Sequence, residues 1–214
     1  MKVTVLYDNE TQDSRLRASW GFAALIEQPG APVVLFDTGA DGPTLLHNMG
    51  ELGIDPRGID KIVISHGHWD HTGGLADILE RNTTAELHVP GSLRMRVPGH
   101  SVTTAGNEPT TLCDRVHSTG ELEGIEQALA LETGEGIFVL TGCAHPHMRT
   151  ILDAAAQFGS LYGIEGGFHG FRQFGLFDGL SLIYPCHCTQ YKRQILDRFP
   201  DTARGCGAGL VIEL

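Results

Sequence analysis

Ile62-Val63-Ile64-Ser65-His66-Gly67-His68-Trp69-Asp70-His71 is the stretch on which the reading of this chain turns. Three consecutive β-branched apolar residues suit a short strand buried between layers, and the polar run behind them is the loop leaving the strand's carboxyl end. Within that loop, His66, His68, Asp70 and His71 place four metal-ligand side chains in six residues. Imidazole nitrogen suits zinc and other borderline first-row ions, while a carboxylate adds a hard oxygen and favours a second, neighbouring ion. One isolated loop histidine would be read as surface chemistry; this density on a rigid strand end reads as a site.

Upstream, Lys2 to Tyr7, Gly21 to Glu27 and Pro32 to Phe36 read as strands, the last two around the turn Gln28-Pro29-Gly30-Ala31. Leu45, Leu46, Met49 and Leu52 are spaced for one helical face. Downstream, helix Leu75 to Arg81 and strand Ala85 to Val89 follow, and Pro90 to Arg115, rich in Gly, Pro, Ser and Thr, reads as a long loop over the sheet. Alternation resumes with strand Ile137 to Leu140, helix His147 to Phe158, strands Leu161 to Ile164 and Leu182 to Tyr184, helix Thr189 to Phe199 and strand Leu210 to Leu214. Histidines recur just beyond the strands, where layered α/β proteins place their chemistry.

A length of 214 residues suits one domain, spanning 1–214, with a substantial core. The formal charge of −11 argues against a surface that neutralises nucleic-acid phosphates, so a small-molecule substrate is expected. Met1 to Asp8 lacks the basic start and apolar core of a signal peptide, and no run approaches a membrane span. The expected location is the cytoplasm. Five cysteines, an odd and sparse set, fit a reducing compartment. Cys186 and Cys188 flank His187 but alternate in direction at a strand end, so packing is expected of them.

The His-x-His-x-Asp-His pattern, followed by Gly73-Gly74, resembles the signature of the metallo-β-lactamase-fold superfamily, and the likeness extends over nearly the whole chain. It implies a four-layer αββα sandwich and one or two divalent ions, zinc first, with iron or manganese as alternatives. By the same resemblance His66, His68 and His145 join one ion, and Asp70, His71 and His187 the other. His145 lies in Thr141-Gly142-Cys143-Ala144-His145, and His187 in Tyr184-Pro185-Cys186-His187-Cys188. Asp37 is expected behind the site, orienting a ligating histidine.

The chain departs from many binuclear members in having no clear Asp to bridge the two ions. The corresponding stretch is Gly163-Ile164-Glu165-Gly166-Gly167-Phe168-His169-Gly170. Its Gly-Gly-Phe-His, with Asp8-Asn9 and Phe36-Asp37-Thr38-Gly39, resembles a narrower subgroup, the relatives of a pterin-ribofuranosyl-aminobenzene phosphate synthase. Glu165 is read either as the bridging substitute or as a surface residue. His169 is a candidate to complete a metal shell, to bind an anionic group or to act as an acid. Arg94, Arg96 and Arg172 are read as solvated cations, with pairing to an anionic substrate as the alternative.

The chemistry expected is metal-assisted hydrolysis of a small anionic metabolite, with Asp70 orienting the attacking water or taking its proton. The alternative is a transferase reaction of the subgroup's kind. A di-iron redox protein or a noncatalytic metal binder comes last, since di-iron relatives place a Glu where this chain has His68.

Overall fold

A computed structural model describes residues 1–214. Lys2–Tyr7 (β1), Ala23–Glu27 (β2) and Val34–Phe36 (β3) pair antiparallel in sequence, as the early turns dictate. Helix α1, Gly42–Glu51, starts where the Asp41 carboxylate accepts the Thr44 N–H at 2.7 Å. Lys61–Val63 (β4) and Glu86–Pro90 (β5) then add in parallel, separated by the helical turn α2, Trp69–Thr72, and by α3, Leu75–Arg81.

The stretch read as a long loop holds two strands. Val102–Ala105 (β6) extends the first sheet beside β5, and Thr110–Cys113 (β7) opens the second. Both are half-exposed, Thr-rich edge strands, so they lack the apolar alternation that would have revealed them. Val116–Ser118 (β8) and Leu129–Glu132 (β9), short and also unread, continue the second sheet into Ile137–Thr141 (β10). Helix α4, Met148–Ala155, leads to Leu161–Gly167 (β11) and then Leu182–Cys186 (β12), both parallel additions. Helix α5, Lys192–Arg198, precedes Val211–Glu213 (β13), which returns to pair with β1.

The result is a seven-stranded sheet, β13-β1-β2-β3-β4-β5-β6, and a six-stranded sheet, β12-β11-β10-β9-β8-β7. Three apolar clusters fill the three interfaces of a four-layer αββα sandwich. Leu45, Met49 and Ile78 pack α1 and α3 on the first sheet. Val3, Phe36, Leu129 and Phe138 fill the space between the sheets. Ile151, Ile195, Val139 and Ile164 pack α4 and α5 on the second. Strand β10 shows the cause in its period of two: Ile137 and Val139 face the helices, Phe138 and Leu140 the other sheet. Each such buried side chain contributes about 1.5–3 kcal/mol. No helix is long and apolar enough to cross a membrane.

Gly73 and Gly74 are required by close approach. A Cβ at Gly73 would run into the Ala40 carbonyl, and one at Gly74 into that of Thr38. The α2–α3 junction therefore lies flat against the loop after β3, which fixes where the preceding histidines point.

Candidate metal centre

The loop after β4 meets the loops after β3, β10, β11 and β12 at one end of the sandwich. Its first two histidines, His66 and His68, stand with ring centroids 4.6 Å apart, and His145, from the loop after β10, lies 4.5 Å from His66 and 4.8 Å from His68. A nitrogen from each falls within 4.8 Å of the other two. Asp70, His71 and His187 form a second such group, joined to the first by a His66–His71 centroid distance of 4.2 Å. The structure thus brings all six residues together, and His66 and His71 also close a mixed group with Cys143.

What aims them is a layer of hydrogen bonds on the outer ring nitrogens, which assigns the tautomers. His71 Nδ1 donates to Asp37 Oδ2 at 2.7 Å, and Ser65 Oγ donates to the same carboxylate while accepting from His66 Nδ1 at 2.9 Å. Asp37 lies behind the site as the sequence suggested. His187 Nδ1 donates to Asn9 Oδ1 at 3.1 Å, and Asn9 Nδ2 donates to the His187 carbonyl at 2.9 Å. Trp20 Nε1 donates to Asp70 Oδ2 at 2.7 Å, and that oxygen stands 3.3 Å from His187 Nε2.

Glu126 is the residue that sequence reasoning missed. Fully buried, it accepts the backbone N–H groups of Gly142, Cys143, Ala144 and His145 and, at 2.9 Å, His145 Nδ1. One carboxylate thereby shapes the whole turn that carries His145. Burial works against its charge, yet the His145 ring and the surrounding donors hold its carboxyl down at about 2.

Two of the inner ring nitrogens are left open. His66 Nε2 is buried with no hydrogen-bond partner, and His187 Nε2, 3.3 Å from Asp70 Oδ2, makes no aligned one, a costly state for a polar atom unless something binds there. Burial, and then the charge of His71, holds His66 at about 2 and His187 at about 3. Both are therefore neutral near pH 7, the form that ligates a metal. The donor set of imidazoles and one carboxylate, open inward and held from behind, fits one or two divalent ions.

Backbone strain concentrates here too. Asp37 (φ 57°), Ala144 (55°), His169 (43°) and His187 (45°) are left-handed non-glycine residues, four of the six in the chain. Such conformations persist where surrounding contacts over-determine them, as they do here.

His169, after β11, stands at the rim, its ring 5.0 Å from that of His145. It lines a cavity of about 350 Å³ with His145, His147 and Arg172. His147 turns outward to Glu123 at 3.0 Å and stays out of the cluster. Glu165 neither bridges the two groups nor reaches the surface: it is fully buried, near Cys206. Facing the centre instead are thiols. Cys143 Sγ lies 3.2 Å from His71 Nε2 and 3.2 Å from Cys188 Sγ. Cys188 therefore turns toward the site, contrary to its expected packing role, because Gly167 leaves room that a Cβ would take from its sulfur.

A family model of the metallo-β-lactamase superfamily matches residues 21–157, more than half of the chain. The 7,8-dihydropterin-6-methyl-4-(β-D-ribofuranosyl)-aminobenzene-5'-phosphate synthase of Methanocaldococcus jannaschii is 23% identical, over 98% of this chain and 95% of that protein. Among solved structures, Tm1679, described as a metal-dependent hydrolase of the β-lactamase superfamily, is 26% identical with a TM-score of 0.78, over 100% of this chain and 99% of that one. Zinc-bound PqqB from Methylobacterium extorquens, 12% identical with a TM-score of 0.66 over the full length of both, shares the fold. On these grounds, and with the signature loop in place, the chain belongs to the metallo-β-lactamase superfamily.

Proposed function

We propose that this protein is a metal-dependent hydrolase of a small anionic metabolite, with His66, His68 and His145 holding one divalent ion and Asp70, His71 and His187 a second. The observation that carries the reading is the pair of buried Nε2 atoms of His66 and His187, which make no well-aligned hydrogen bond and converge with the other ligand side chains. Zinc is the first expectation, with iron or manganese as alternatives. Bound there, a divalent ion would acidify a water and polarise a carbonyl or phosphoryl oxygen.

The chain's own residues supply the rest. Asp70, fixed by Trp20, orients the attacking water between the two groups. His169, on the cavity wall beside His145, gives a proton to the leaving group. Burial, and then the charge of His145, holds the His169 ring below its ordinary pKa, so the ring is mostly neutral near pH 7 and only its minor protonated form is the acid. Arg172, stacked 4.4 Å from the Tyr191 ring and lining the same cavity, pairs with the substrate's anionic group.

A second reading is the transfer chemistry of the Methanocaldococcus jannaschii synthase, supported by the match over nearly both full lengths. Trp20 and Trp69, 51% and 64% exposed beside the metal-ligand loop, offer aromatic faces that suit a planar ring.

The test is hydrolysis of a panel of small phosphoesters, thioesters and lactones by metal-loaded protein. Turnover of an anionic member that drops 10²–10⁴-fold in His169→Ala, with metal content unchanged, supports the hydrolase. No hydrolysis of any member, with condensation of a pterin and a ribosyl-aminobenzene phosphate instead, replaces it with the second reading.

A further inference from the structure

Cys186 precedes His187 in the chain but belongs to a different group. Its sulfur, the Cys206 sulfur and an Asp8 carboxylate oxygen lie within 4.8 Å of one another, all buried. Glu165, reaching in from β11, brings Oε1 to 3.8 Å from Cys206 Sγ, while its Oε2 is buried with no partner. Asp8 accepts the backbone N–H groups of His187 at 2.8 Å and Glu10 at 3.0 Å, which holds its carboxylate still and leaves further lone pairs open. Two thiols and one carboxylate thus meet in a buried pocket, with a second carboxylate, Glu165, against Cys206 at its edge. An unpartnered buried carboxylate near another is costly unless it holds a proton or a cation. Burial, and then the Asp8 charge, pushes the Glu165 carboxyl up to about 8, so without a cation it keeps its proton at neutral pH.

We propose that Asp8, Cys186 and Cys206, with Glu165 turning in from Cys206 as the fourth donor, form a separate structural site for a thiophilic divalent ion, zinc in the first instance. Two thiolates among four donors select zinc, cobalt or cadmium over magnesium or calcium. Tetrahedral zinc at ordinary bond lengths sets its ligand atoms about 3.5–3.8 Å apart, the spacing already present between Glu165 and Cys206. Four protein donors and full burial leave no position for a substrate, which makes the site structural. Filling it releases the two thiol protons and that of Glu165 to solvent. The four anionic donors outweigh a divalent ion, and the Lys192 ammonium, whose charge already acts on Asp8, offsets part of the excess. The donors come from the end of β1, from β11, from β12 and from the segment before β13, so an ion here ties the two sheets together beside His187.

Full-length protein is stripped with a chelator and reloaded with cobalt(II), then read by absorbance and by elemental analysis. A near-ultraviolet sulfur-to-cobalt band is expected in wild type and in a Cys143→Ser/Cys188→Ser variant. Both the band in that background and one metal equivalent should be lost in Cys206→Ser, and Glu165→Gln should weaken retention at least tenfold. If the band disappears with Cys143 and Cys188 but persists in Cys206→Ser, the thiolates belong to the histidine centre and the proposal falls. It falls equally if wild type shows no such band, a result that stands even where Cys206→Ser does not fold.

Discussion

The two ligand groups share one mouth, but different scaffolding stands behind them. His145 rests on a single buried carboxylate, Glu126, which gathers four consecutive backbone N–H groups and the ring itself. The Asp70, His71 and His187 group is held piecemeal: Trp20 on Asp70, Asp37 on His71, Asn9 on His187. Asp37 also reaches the first group through Ser65, whose hydroxyl meets His66. Loss of Glu126 should therefore unseat the whole turn that carries His145, whereas the second group should fail one ligand at a time.

Removing the Glu126 carboxylate is the largest break available. Glu126→Ala leaves five donors with no acceptor, and a loss of at least about 3 kcal/mol is expected, read as a lower denaturant midpoint. A loss no larger than the ~0.5 kcal/mol of an ordinary surface change would remove the contrast. Asn9→Ala comes next. It frees one ring of the second group only, and should weaken metal retention there about 10–100-fold in a chelator competition while His66, His68 and His145 keep theirs. Equal weakening of both groups would mean that they are not separately supported.

How far each half of that scaffold was legible follows from its chemistry. The ligand loop was readable because its side chains are themselves the signal, and Asp37 because it ends a recognisable strand. Glu126 was not, because its partners are main-chain N–H groups, which every sequence contains and no motif advertises. Its segment, Gly120–Ala128, also carries no strand or helix period. The edge strands β6 and β7 were lost for the related reason that Thr-rich, half-exposed strands show no apolar alternation. The direction of Cys188 depends on a glycine in another strand, Gly167, which the alternation at its own strand end does not encode.

A pH measurement sharpens the comparison further. His187 is held at about 3 by burial and then by the His71 charge, below its ordinary value of about 6.5. The unfolded chain therefore takes up a proton that the folded state refuses. The stability this residue gives is full above about pH 6.5 and is lost as pH falls toward about 3. In metal-free protein, His187→Asn lacks that loss, so its melting temperature should gain on wild type as pH drops from 6.5 to 5. A constant difference across that range would show that the ring is not buried as described. The smallest effect is expected from Trp20→Phe, which removes one hydrogen bond to Asp70 and should lower turnover by about tenfold or less, with metal content unchanged.

Metal counting tests the central claim most directly. Protein purified without added metal or a histidine tag would be analysed by elemental mass spectrometry as wild type, His68→Ala and His187→Ala. Each variant is expected to hold about one equivalent less than wild type, with the remaining content intact. Equal metal in all three proteins, or none in any freshly purified sample, would contradict the assignment of the histidine loop as a metal centre.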